Sequence, residues 1–165
     1  MTTLPLAPWC ANGSGLLDAE IASGIHQPGK AGLVLRDPSL AVACVWLRRS
    51  LAFQTALLGG VSAPPHSKPT SEVAREAYVT ELEKHHNWVL KSAFKVGLNA
   101  TPKRDEFLER MGIGLLDKGL SVAERDQVVY DDLAELVSTQ RRVLRAIAKP
   151  LVDLDIDRSA GDNLL

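Results

Sequence analysis

Cysteine is scarce in this sequence: Cys10 and Cys44 are the only two. That is too few for a disulfide framework or a cysteine-ligated zinc site, and it points to a reduced setting, the cytosol. Aromatic residues make up only 5% of the 165 positions, low for a sandwich or barrel and ordinary for a helical protein. Neither charge dominates, with 19 Lys and Arg against 20 Asp and Glu and a net charge of −1. No basic field is therefore available for nucleic acid, and no acidic run marks a disordered tail. No apolar run approaches the roughly 20 residues of a membrane span. The start, Met1 to Trp9, lacks the basic and long apolar regions of a signal peptide. Together these absences predict one soluble, intracellular domain.

Catalytic signatures are missing as well. Gly13-Ser14-Gly15 is the nearest approach to a phosphate loop, and it follows no strand pattern. No nucleophile elbow or Cys–His set occurs. His85 and His86 are adjacent; on a helix they diverge by about 100° and cannot share a metal well. Asp131, Asp132 and Glu135 read as the acidic face of a helix. No metal, no cofactor and no enzymatic activity are expected.

What is present is helical. Residues 1–36 carry Gly13, Gly15, Gly24, Gly29 and Gly32 with Pro5, Pro8 and Pro28, and are expected to be irregular apart from a short helix around Leu16 to Ala22. Asp37-Pro38-Ser39 predicts a helix start capped by Asp37, with Gly59-Gly60 as its stop. A second helix is predicted from Thr70 or Ser71 to about Asn99, and a short one from Thr101-Pro102 to Met111. Ser121-Val122-Ala123-Glu124 is a capping box for a last helix that meets Pro150. No segment alternates as a strand does. The expected organisation is an irregular segment 1–36, an all-α domain 37–150 and a frayed polar tail 151–165.

On the second long helix, Leu82, His86, Val89, Ala93, Val96 and Ala100 fall at spacings of three and four. They form one apolar stripe interrupted by His86. Such a histidine is either satisfied within the core or offered to a ligand. His85 shares a neighbouring face with Glu81, Trp88 and Ser92 and is expected at the solvent. On the first long helix Trp46, Arg49 and Phe53 share a face. A tryptophan there is either core or a stacking surface for a sugar or headgroup, and Arg48 and Arg49 are either a solvated rim or fixed donors.

Three groups of residues resemble the glycolipid transfer protein family: Val45-Trp46-Leu47-Arg48-Arg49-Ser50-Leu51-Ala52-Phe53; Ala77-Tyr78 followed by Leu82-Glu83-Lys84-His85-His86-Asn87-Trp88-Val89; and Ala100-Thr101-Pro102-Lys103-Arg104-Asp105-Glu106-Phe107-Leu108. The resemblance covers most of residues 37–150. It implies a two-layer all-α fold around a slot for one sphingolipid, carried between membranes by a cytosolic protein in transient contact with membrane surfaces. It implies Trp46 against the first sugar, with Arg49 and Phe53 nearby, and His86 at the ceramide amide beside Val89. Trp88 becomes the membrane contact; Tyr78 matches a family tyrosine without a ligand role. The family's upstream Asp-x-x-x-Asn-x-x-Lys pattern is absent, since Asp18 is followed by Ala22 and Ile25 at the matching positions. The resemblance thus implies missing or altered first helices, an incomplete headgroup site and impaired transfer. Two alternatives stay open: a ceramide-1-phosphate carrier using Arg49 with Arg48 or Lys91, and a lipid-sensing module that binds a protein.

A slot is physically sufficient for carriage. Each methylene moved into water costs about 0.8 kcal/mol, so a lipid with about 30 of them needs on the order of 20 kcal/mol of shelter.

Overall fold

The structure, a computed structural model, describes residues 9–29, 32–115 and 118–163, with side chains from Gly15 to Asp162 in those ranges. The expected irregularity of residues 1–8 and the end of the tail at 164–165 lie outside them. The described residues form α1 (Trp9–Ala22), β1 (Gln27–Gly29), β2 (Gly32–Val34), α2 (Leu40–Ser62), α3 (Thr70–Glu81), α4 (Trp88–Asn99), α5 (Arg104–Met111) and α6 (Val122–Asp153). The chain divides into two compact units, Met1–Arg48 with Arg142–Leu165, and Arg49–Arg141.

The first unit contains more structure than the glycines and prolines suggest. The helix α1 is longer than expected, and β1 and β2 pair antiparallel with Pro28 opposite Leu33. Leu17, Ala41, Val45, Ala148, Leu151, Ile156 and Ala160 form its core. Asp37 does not cap α2. Instead Ser39 Oγ accepts the Val42 amide at 3.2 Å, and Glu20, reaching from α1, accepts the Leu40 and Ala41 amides at 2.7 and 2.8 Å, which are unpaired donors of a helix start. His26, with its side chain 1% exposed, donates from Nε2 to the same carboxylate at 3.1 Å. Its Nδ1 accepts the Arg36 amide at 3.1 Å. Burial raises the Glu20 pKa, but the bonds from Ala41, Leu40 and His26 outweigh it and hold the carboxyl below its usual range.

The tail is packed rather than frayed. The amides of Ile156 and Asp157 donate to the Leu151 carbonyl, and Ile156, Asp157 and Ala160 are buried. Arg48, read from the sequence as either solvated rim or fixed donor, is 3% exposed. It donates to Asp157 Oδ2 at 3.0 Å and to Ser159 Oγ at 3.2 Å, and Ser159 in turn donates to Asp157 Oδ1. Gly32, at φ +112°, lies against Asp155, whose carbonyl oxygen is 3.1 Å from where a Cβ would stand. Pro150 does not end α6. Ala148 and Leu151 on either side of it are fully buried, and their packing outweighs the one backbone bond a proline removes.

In the second unit Leu58 and Val61 of α2, Val73 of α3, Leu108 of α5, and Val129, Leu133 and Val137 of α6 form the core. Gly59-Gly60 does not stop α2, which runs to Ser62. A Cβ on Gly60 would lie 2.5 Å from Val73 Cγ1, so this glycine lets α2 and α3 touch. Arg104 takes up the end of α2, donating to the Val61 and Lys68 carbonyls at 2.7 Å each. The capping box forms as expected: Ser121 N donates to Glu124 Oε2 at 2.9 Å, and Glu124 N to Ser121 Oγ at 3.4 Å.

Two substitutions test this account by thermal or urea unfolding. Gly60→Ala is expected to cost about 1–3 kcal/mol through overpacking; unchanged stability would refute the close-contact role. Asp157→Ala is expected to cost about 3 kcal/mol, because it takes the carboxylate from a buried guanidinium. A near-neutral result would return Arg48 to the rim.

Candidate lipid-binding site

The single helix expected over residues 70–99 is two helices. The helix α3 ends at Glu81, Glu83–His85 form a single 3-10 turn, and His86 and Asn87 are extended. Asn87 then caps α4, its side chain accepting the Leu90 amide at 3.0 Å. Asparagine is among the strongest N-cap residues, and it restarts the helix in a new phase.

The restart separates residues that one stripe would have joined. Leu82 is buried at the end of α3. On α4, Phe94 stacks on Tyr78 of α3, and Lys91 and Leu98 share the side of Phe94. At 100° per residue, Val89, Ala93, Val96 and Ala100 lie on the opposite side, and all four are exposed. Val89, expected beside His86, is thus on the far face, 50% exposed. His85, expected at the solvent, is half-buried in the 3-10 turn.

His86 turns toward α3 and enters a cluster of rings. Its imidazole centroid lies 5.6 Å from Tyr78 and 4.9 Å from Phe94. Phe94 stacks on Tyr78 at 4.7 Å and 13°, and meets Phe53 edge-on at 6.3 Å. The Tyr78 hydroxyl lies 3.3 Å from His86 Nδ1. Burial, then the charge of Lys91, push the His86 pKa below its usual value, which favours the neutral ring. Burial and the nearby Glu83 push the Tyr78 phenol up, so it stays protonated. A cleft of about 600 Å³ between α3 and α4 reaches Tyr78 and is lined also by Arg75, Val79, Lys95 and Leu98.

Of the expected site residues, Phe53 and His86 are brought together, with Phe94 between them. Arg49 is half-buried at the start of this unit. Trp46 belongs to the first unit and is 37% exposed. Trp88 is 79% exposed at the start of α4. Sequence reasoning missed Phe94 and gave Tyr78 no role, although both stand eight positions from His86. Among the described residues no cluster of His, Cys, Asp and Glu could hold a metal, and no helix is long and apolar enough to cross a membrane.

The model of the glycolipid transfer protein family matches residues 12–113, and the chain belongs to that family. It is similar to glycolipid transfer protein 2 of Arabidopsis thaliana, 32% identical over 133 residues, 81% of this chain and 52% of that protein. It is also similar to the ceramide-1-phosphate transfer protein of Bos taurus, 30% identical over 76 residues, 46% of this chain and 36% of that protein. The apo crystal structure of mouse ceramide-1-phosphate transfer protein shares its fold, with a TM-score of 0.68 at 22% identity over 87% of this chain and 63% of that one. The chain spans about half the length of the curated glycolipid transfer proteins it matches.

The depressed His86 pKa has a definite sign. The unfolded chain binds more protons than the folded one as pH falls through about 6.5, so stability drops over that range. His86→Phe is expected to flatten the drop between about pH 7.5 and pH 5.5 in urea unfolding. A slope identical to wild type would show that His86 does not contribute to it.

Proposed function

We propose that this chain holds one sphingolipid and carries it between membrane surfaces without making or breaking a bond. One observation supports the reading above the others: a half-buried imidazole, favoured in its neutral form, set among Phe53, Tyr78 and Phe94. An apolar wall with one oriented polar group is what an amide flanked by hydrocarbon chains requires. In this reading His86 takes the amide region and Phe53 lies along a chain. Trp46 stacks on a sugar and Arg49 supplies donors to the headgroup. The outer face of α4, with Val89 and Val96 exposed beside Trp88 at its start, meets the membrane transiently, as suits a cytosolic protein peripheral to it. Glycosylceramide is the headgroup that an exposed indole favours. The half-buried Arg49 favours a second reading, ceramide-1-phosphate, which the name of the bovine relative also carries.

Transfer of labelled galactosylceramide between vesicles, with ceramide-1-phosphate as competitor, tests the reading and ranks the two headgroups. His86→Leu is expected to lower transfer about tenfold, since it leaves an amide group unpaired in an apolar wall. Trp88→Ala is expected to slow transfer while leaving equilibrium lipid binding in place. No transfer and no bound lipid, with a full-length relative active in the same assay, would overturn the carrier reading.

A further inference from the structure

We propose that Tyr78 is a positioning residue of this site: its buried hydroxyl donates to His86 Nδ1 and fixes the imidazole as an Nε2–H donor, matched to an acceptor oxygen such as an amide carbonyl. The ligand part of this inference rests on the carrier reading; the proton assignment does not.

The assignment follows from accounting for one proton. Tyr78 is 2% exposed, and among the described residues its hydroxyl has His86 Nδ1 as its hydrogen-bond partner, at 3.3 Å. A neutral phenol has one O–H to place, and a buried donor left unpaired costs about 1–3 kcal/mol. If Nδ1 carried the hydrogen and donated to the phenol oxygen, the phenol proton would be that unpaired donor. With the phenol donating, both groups are satisfied, and the imidazole hydrogen must sit on Nε2.

Packing fixes the geometry as well as the proton. Phe94 stacks on Tyr78 and contacts the His86 ring, so neither ring turns without disturbing the other. The His86 backbone is extended between the Glu83–His85 turn and the Asn87 cap, which holds the side chain on the α3 side. A protonated imidazole has no Nδ1 lone pair to accept the phenol O–H, which would then be left unpaired, so the same contact disfavours the cation.

The consequence is selectivity. An Nε2–H donor suits an N-acylated sphingolipid, whose amide carbonyl accepts. It is mismatched to the deacylated form, whose ammonium only donates.

The test uses the whole chain in two steps. In lipid-free protein labelled with 15N-histidine, the His86 signals are assigned by their loss in His86→Gln. Wild type is expected to show the neutral Nε2–H pattern. Tyr78→Phe, which keeps the ring, is expected to shift the Nδ1 signal and raise the pH at which the ring protonates, with little change in melting temperature. An Nδ1–H pattern in wild type, or unchanged signals in Tyr78→Phe, overturns the positioning role whatever the lipid result. In the second step lactosylceramide competes with its deacylated form. Wild type is expected to prefer the acylated lipid, and Tyr78→Phe to lose about tenfold of that preference. An equal preference in both proteins overturns the selectivity. The expected NMR pattern together with no binding of either lipid overturns the carrier reading and the selectivity built on it, and leaves the proton assignment standing.

Discussion

The site depends on one hydrogen bond, from the Leu90 amide to the side chain of Asn87. By starting α4 afresh after the Glu83–His85 turn, it leaves His86 in extended backbone instead of on a helix. An extended residue can turn its side chain back toward α3, and there the imidazole meets Tyr78 and Phe94. A continuous helix would have aligned His86 with Val89 and Val96, which face away from α3. The polar group of the site is therefore placed by a cap.

Caps borrowed from other helices occur elsewhere in the chain. The start of α2 is closed by Glu20 from α1, and its end by Arg104 from α5. The proline and glycines that flank or end α2 in the sequence carry less weight than these two side chains. The buried Arg48–Asp157 pair follows the same logic: a charge on α2 is matched by a carboxylate more than a hundred positions later, itself held by Ser159. An ion pair this dry specifies an arrangement more than it adds stability, because desolvation consumes much of the attraction.

Much of the helical framework was legible, and for local reasons. The start at Thr70, the end of α5 near Gly112 and the Ser121–Glu124 box are written within one turn of sequence. What was not legible depended on distant partners. Gly59-Gly60 reads as a stop until Val73 is seen against it, and Pro150 reads as an end until the burial of Ala148 and Leu151 is known. Arg48 reads as surface without Asp157. The hairpin was hidden because each strand has three residues, and three of the six, Pro28, Gly29 and Gly32, are glycine or proline. Asn87 is a different kind of miss: its cap signal was local, but the apolar spacing of Leu82, His86 and Val89 spanned it and pointed to one helix. The family motifs singled out His86, and its contacts with Tyr78 and Phe94 are what spacing could not supply.

The Glu20 carboxylate has a mechanical implication for the first unit. One anionic group on α1 gathers two backbone amides and an imidazole from two other stretches of chain. A protease cutting between Ser23 and Ser39 would sever the connection without dissolving that junction, so the fragments would stay together like a nicked but unbroken clasp.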